Sequence, residues 1–210
     1  MGRRLTWRRS DLSVGPVDAA LALLGATVES TTEDGTVAVR LTEVEAYGGS
    51  DDPGSHAFRG PGRRNATMFG PAGLAYVYFT YGMHWCLNVV CGPDGEPGAV
   101  LLRAGEVTRG LDLARTRRPG ASDRDLARGP ARLTRTLGVT GAADGVDLLD
   151  AGSALRLTAR APTSAEVVWG PRVGVAGEGG STPWRVHLAG DRTVSVYRPA
   201  TPRRKPTASG

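Results

Sequence analysis

Whole classes of protein are excluded by what this chain has little of. Only two of its 210 residues are cysteine, Cys86 and Cys91, too few for a disulfide scaffold or a four-cysteine zinc site. Lysine is nearly missing: all but one of the 26 basic residues are arginine, and the exception is Lys205 in the extreme tail. A Schiff-base, P-loop or pyridoxal-phosphate lysine would have to come from there, so those mechanisms have almost no support. No apolar run approaches the ~20 residues of a membrane span. Arg8-Arg9-Ser10-Asp11-Leu12 and the apolar stretch 19–26 superficially resemble a twin-arginine leader, but Asp11, Pro16 and Asp18 interrupt it. The expectation is a soluble protein of the cytoplasm without a membrane partner.

What is present reads as globular. Hydrophobic residues make up 40% and charged residues 22%, near the average of folded domains. A chain of this length buries about 70% of its surface on folding. With no repeat and no linker, one α+β domain over residues 1–198 is expected, followed by a flexible tail at 199–210. The net charge of +5, carried by arginine, suits a polyanionic partner because guanidinium forks match phosphate. A proteome-wide preference for arginine would give the same ratio.

Pro16 opens a short helix that Gly25 closes. Residues 36–47 alternate, placing Val37, Val39, Leu41, Glu43, Glu45 and Tyr47 on one face of a strand. Residues 48–73 form a long loop of the kind that usually carries function. Strands are expected at 74–80, 85–90, 99–104, 146–157 and 186–197, a loop at 105–125 and a helix at 126–137. The turn Tyr81-Gly82-Met83-His84 puts large side chains at a hairpin tip, where small polar residues are the norm.

Eight of the twelve aromatics lie between Tyr47 and Trp85, interleaved with Arg59, Arg63 and Arg64. Core packing accounts for some of them. Rings that stack on bases beside arginines that meet phosphates are also the equipment of nucleic-acid binders. Glu45 at a strand end and Arg103 inside another strand read either as a carboxylate in water and an interior salt-bridge arginine, or as a carboxylate that a guanidinium keeps ionised to orient and deprotonate water. His84, Cys86 and Cys91 match no common zinc spacing, so neither metal nor cofactor is expected.

Taken in order, Glu43-Val44-Glu45-Ala46-Tyr47, His56, Met68-Phe69, Tyr76 to Met83, Asn88, Val100 to Ala104, Gly129 to Leu133 and Arg172 to Val175 resemble the alkyladenine (3-methyladenine) DNA glycosylase family, over residues 21–196. The resemblance implies a curved antiparallel sheet surrounded by helices, similar to the C-terminal domain of methionyl-tRNA formyltransferase. It implies a monomeric, monofunctional enzyme that flips damaged purines (3-methyladenine, 7-methylguanine, hypoxanthine, ethenoadenine) from double-stranded DNA and hydrolyses the N-glycosidic bond. Glu45 matches the family's general base, and Arg103 and the Val173 carbonyl match groups that hold the water. Tyr47, His56 and Tyr78 match the base pocket, and Asn88 the residue that disfavours the guanine amine. Tyr81 matches the side chain that fills the vacated duplex, Met83 a neighbouring DNA contact; Arg59, Arg63, Arg64 and His84 join that contact set. Two departures stand out: His84 replaces a frequent aromatic, and the loop 58–64 is shorter than in vertebrate members.

Overall fold

The computed structural model describes residues 6–80, 82–93, 95–159 and 165–200. In chain order they form α1 (Pro16–Leu23), β1 (Thr27–Thr32), β2 (Gly35–Tyr47), β3 (Ala75–Thr80), β4 (His84–Cys91), β5 (Gly98–Arg109), α2 (Leu111–Arg117), α3 (Pro130–Leu137), β6 (Leu155–Ala159), β7 (Val167–Gly170) and β8 (Arg185–Leu188). The strands make one antiparallel sheet in the order β3-β4-β5-β2-β1-β6, curled into a half-barrel within a single α+β domain. The sheet branches at β2, whose first half pairs with β1 and whose last residues pair with β8, itself paired with β7.

The helices cover one face. Proline at the first position of both α1 and α3 opens each with its backbone angle preset. Gly138 closes α3 at φ 72, a left-handed cap that glycine adopts without strain. Leu23, Leu133 and Leu137 from these helices meet Val39, Leu41, Leu87, Val100 and Leu102 in a continuous apolar core.

β2 does not keep a single face, contrary to the simple alternation. Val37, Val39 and Leu41 enter the core, but Val44 and Ala46 enter it next. The register with β5 runs Leu41↔Gly105 and then Glu43↔Ala104, leaving Thr42 unopposed. A bulge of this kind adds one residue and reverses the sides beyond it. Glu43, Glu45 and Tyr47 therefore leave the face of Leu41 and turn to the opposite side of the sheet. Arg103 is likewise skipped between Ala104 and Leu102 on β5.

Other elements differ from the sequence expectation for identifiable reasons. The segment 105–125 is not a loop: β5 continues to Arg109 along β2, and α2 follows. Helix α3 starts at Pro130 rather than at 126, because Arg128 bridges Ala104 and Gly129 holds φ 124, outside helical space. Of the strand expected at 146–157 only the end is realised, as β6. The strand expected at 186–197 stops at Leu188, and residues 193–198 run on as a strap outside the ladder. β1 and β7 were not anticipated.

Strands β2 and β5 approach so closely at Gly105 that a Cβ there would collide with the Arg40 carbonyl oxygen and with Val39. Gly105→Ala is expected to lower stability by about 1–3 kcal/mol, read from the denaturant midpoint. An unchanged midpoint would show that the strand pair has slack at this point.

Candidate active site

The face of the sheet opposite the helices, the loops 48–73 and 171–181 and the start of α3 enclose a pocket of about 440 Å³. Tyr47, His56, Tyr78, Asn88, Arg103 and Val173 all line it. With His84, which also lines it, and Glu45, whose carboxylate lies fully buried against Tyr47, Arg103 and Val173, eight of the predicted site residues are gathered in one place.

Glu45 is held by three donors. The Tyr47 hydroxyl donates to Oε2 at 2.8 Å and the Val173 backbone N–H to Oε1 at 2.7 Å, while Arg103 Nη1 approaches Oε1 at 3.4 Å. Val173 thus meets the carboxylate through its N–H, a contact the sequence reading did not include. Burial and the adjacent Glu45 charge push the Tyr47 phenol well above its ordinary value, so it stays protonated and donates. A carboxylate has about four acceptor positions, and these contacts occupy three.

Beside Glu45, the buried Glu43 accepts from Arg103 Nε (3.0 Å), Arg185 Nε (2.6 Å), Ser195 N (2.6 Å) and Ser195 Oγ (2.9 Å). Burial alone would raise this carboxyl, but the Arg103 and Arg185 charges outweigh it and hold it below the usual range. A second pair lies under the loops. Arg172, fully buried, meets Asp52 through two N–H groups at 2.6 and 2.7 Å and also donates to the Ala46 and Gly179 carbonyls. Burial opposes ionisation of Asp52, and the Arg172 and Gly48 hydrogen bonds reverse that, leaving it depressed. The Arg172 guanidinium sits 4.7 Å from the Tyr47 ring centre and 5.4 Å from that of Trp184. One arginine therefore fixes the loop 48–54, the loop at Gly179 and the Tyr47 ring together.

The opposite wall is aromatic. His56 and Tyr78 lie edge to face at 4.6 Å, and His56 Nδ1 is hydrogen-bonded to the Tyr76 hydroxyl at 2.8 Å. Loss of hydration and the Arg64 charge push His56 down, so its ring is neutral near pH 7. Asn88 is fixed by donating to the Tyr76 carbonyl at 3.0 Å. Cys86 lines the pocket, whereas Cys91 lies in the core on the opposite face of β4. Alternation along the strand thus separates the two thiols, and burial pushes Cys91 up to about 12.

At the rim, Arg64 stands over the Tyr78 ring at 5.4 Å and donates to the Phe79 carbonyl, a wall position as much as an outer one. Arg59 and Arg63 are exposed, as are Met83 and His84, and His84 also lines the pocket. Tyr81 lies outside the described residues. Sequence reading missed Glu43, Asp52, Arg172, Arg185 and Ser195 as parts of the site. Only Glu43 and Arg172 carried a signal, both standing within the matching motifs. Among the described residues no group of His, Cys, Asp and Glu could hold a metal ion, and no helix is long and apolar enough to cross a membrane.

Comparison with known proteins identifies the family. The family described as methylpurine-DNA glycosylase matches residues 10–192. Relatives provisionally named 3-methyladenine DNA glycosylase include one from Streptomyces avermitilis, 54% identical over 194 residues and 91% of both chains. One from Leifsonia xyli is 53% identical over 87% of this chain and 88% of the relative, and one from Nocardia farcinica 51% identical over 95% and 93%. The chain belongs to the methylpurine-DNA glycosylase family and is an enzyme of the DNA glycosylase class.

Glu43 and Asp52 are both depressed in the folded state, so at low pH the unfolded chain binds more protons. Their contribution to stability is complete above their ordinary values of about 4 and is lost as pH falls through the lower folded values. Thermal melts are expected to be flat from pH 7 to about 5 and to fall steeply below about 4. A melting temperature that rises on acidification would overturn this account.

Proposed function

We propose that this enzyme flips an alkylated or deaminated purine out of double-stranded DNA and hydrolyses its N-glycosidic bond with a water activated by Glu45. The observation that carries the reading is the buried, three-donor Glu45 carboxylate at the floor of an aromatic-walled pocket. The proposed substrates are 3-methyladenine, 7-methylguanine, hypoxanthine and ethenoadenine. The likeness to the formyltransferase C-terminal domain belongs to the same reading, since a half-barrel sheet fits it.

A base inside a duplex is out of reach, so the nucleotide turns outward at a cost of a few kcal/mol in lost stacking. Tyr81, which follows β3 in the sequence, fills the gap. Met83, His84, Arg59 and Arg63 meet the surrounding DNA, and Arg64 braces the rim. A purine alkylated on a ring nitrogen is cationic, and stacking it between Tyr47 and Tyr78 adds about 0.5–2 kcal/mol of attraction that a normal base lacks. Asn88 crowds the position of the guanine amine, and neutral His56 offers a hydrogen bond to the base edge.

The bond breaks toward an oxocarbenium-like sugar, which the Glu45 charge stabilises. The open acceptor position of Glu45 takes a proton from a water that Arg103 and the Val173 carbonyl hold. The water oxygen bonds to C1′, and the electron pair of the glycosidic bond leaves with the base. A cationic base departs unaided. The attack needs neither lysine nor metal, and the single chain is the working unit. It is monofunctional, without strand cleavage.

Glu45→Gln should reduce single-turnover release of 7-methylguanine by about 100- to 10,000-fold, while affinity for a duplex with an abasic-site analogue stays native. Equal losses of rate and affinity would remove the assigned role. Tyr81→Ser should slow excision from duplex much more than from single-stranded DNA, in parallel assays on one lesion; equal slowing on both substrates would dismiss the wedge.

A further inference from the structure

Two carboxylate–arginine pairs stand side by side in the site and differ in geometry. Arg172 grips Asp52 through two bonds of 2.6 and 2.7 Å, the usual fork arrangement. Arg103 meets Glu45 through one nitrogen only, at 3.4 Å. Its other edges are engaged: Nε donates to Glu43 Oε1 at 3.0 Å and Nη2 to Ser195 Oγ at 3.3 Å. Ser195 Oγ in turn donates to Glu43 at 2.9 Å, its N–H donates to Glu43 at 2.6 Å, and its carbonyl accepts from Arg185 at 3.1 Å.

Ser195 is delivered by the strap 193–198. Thr193 Oγ1 meets Thr42 Oγ1 at the β2 bulge (2.8 Å), the Val194 carbonyl accepts from Arg128 (2.8 Å), and the Arg198 carbonyl accepts from Gly174 N (3.1 Å). The strap lies beyond residue 192, where the family match ends.

We propose that Glu43 and Ser195 are positioning residues for hydrolysis, holding the Arg103 guanidinium turned away so that it cannot close as a fork on Glu45. A bidentate Arg103 would occupy the acceptor position that Tyr47, Val173 and the single Arg103 contact leave open on Glu45, and would displace the attacking water. Held by Glu43 and Ser195, Arg103 lends its charge to the site through one contact and leaves that position open. The inference rests on the glycosylase reading above.

The groups facing Glu45 are the Arg103 guanidinium from β5, the Tyr47 phenol from its own strand and the Cys86 thiol from β4. One side chain further out stand Glu43, Arg185 of β8 and Arg172. Ser195→Ala removes one hydroxyl from this set and leaves the Ser195 N–H and carbonyl in place, so no buried charge loses every partner. Release of 7-methylguanine needs no general acid, and its low-pH limb therefore reports the base side of the reaction alone.

In single turnover Ser195→Ala is expected to lower the rate at pH 7 about tenfold and to move the low-pH limb down by about one pH unit. Affinity for an abasic-analogue duplex stays native, and Ser195→Thr restores both rate and limb. Glu43→Gln, wherever it folds, shifts the limb further in the same direction. A rate loss with the limb unmoved, parallel losses of rate and affinity, or a native-like Ser195→Ala each overturns the proposal. A crystal structure of Ser195→Ala decides it without activity: Arg103 forked on Glu45 supports it, and a single contact as in the native chain sinks it. Absence of release by the native enzyme would count against the glycosylase reading instead.

Discussion

Withdrawing a lone carboxylate from water costs several kcal/mol even after relaxation, a large part of the net stability of any domain. Around the pocket the described residues bury three, Glu43, Glu45 and Asp52, and bury Arg103, Arg172 and Arg185 among them. Three anions against three cations leave the region neutral in sum, and nearly every remaining donor and acceptor is used. The positions of the loops follow from that balance. Residues 48–54 stay folded against β2 because Asp52 must meet Arg172, and residue 173 sits over Glu45 because Arg172 precedes it.

The balance depends on a local backbone irregularity. With uninterrupted alternation along β2, Glu43 and Glu45 would share the face of Leu41 and enter the apolar core against the helices. The extra residue at Thr42 turns them to the other side, and the skipped Arg103 on β5 stands directly across. Thr42 also marks where β1 leaves the edge of β2 and β8 takes its place. A single bulge thus ends one branch of the sheet, begins another and converts the last third of a core strand into the floor of a pocket.

Much of this was legible in the sequence, and the rest was hidden for physical reasons. Pro16 with Gly25 marks the first helix and the alternating run into Tyr47 marks a strand, although the sides beyond Leu41 are reversed from the simple alternation. The motifs around Glu45, His56, Asn88 and Arg103 gathered the pocket residues in advance. The bulge left no trace, because alternating residue types look alike whether or not a strand slips by one position. β1 is built of threonine, serine and glutamate beside one valine, a composition without an apolar stripe. Asp52 and Arg172 are 120 positions apart, and nothing at either end announces the other. Ser195 sits in a segment that reads as part of a strand, so its bonds to Glu43 and Arg103 are visible only in three dimensions.

The strap gives the molecule a particular order of assembly. The bond from Ser195 N to Glu43 joins residues 152 positions apart. Contacts of that span form late, since the loop they close must be ordered first. During synthesis the sheet, the helices and the aromatic walls of the pocket all precede the strap, so the charged floor is finished last. Without the strap, Arg103 keeps its Nε bond to Glu43 and lacks its contact to Ser195. Closure of the charged cluster around Glu43 is in this way tied to residues beyond 192.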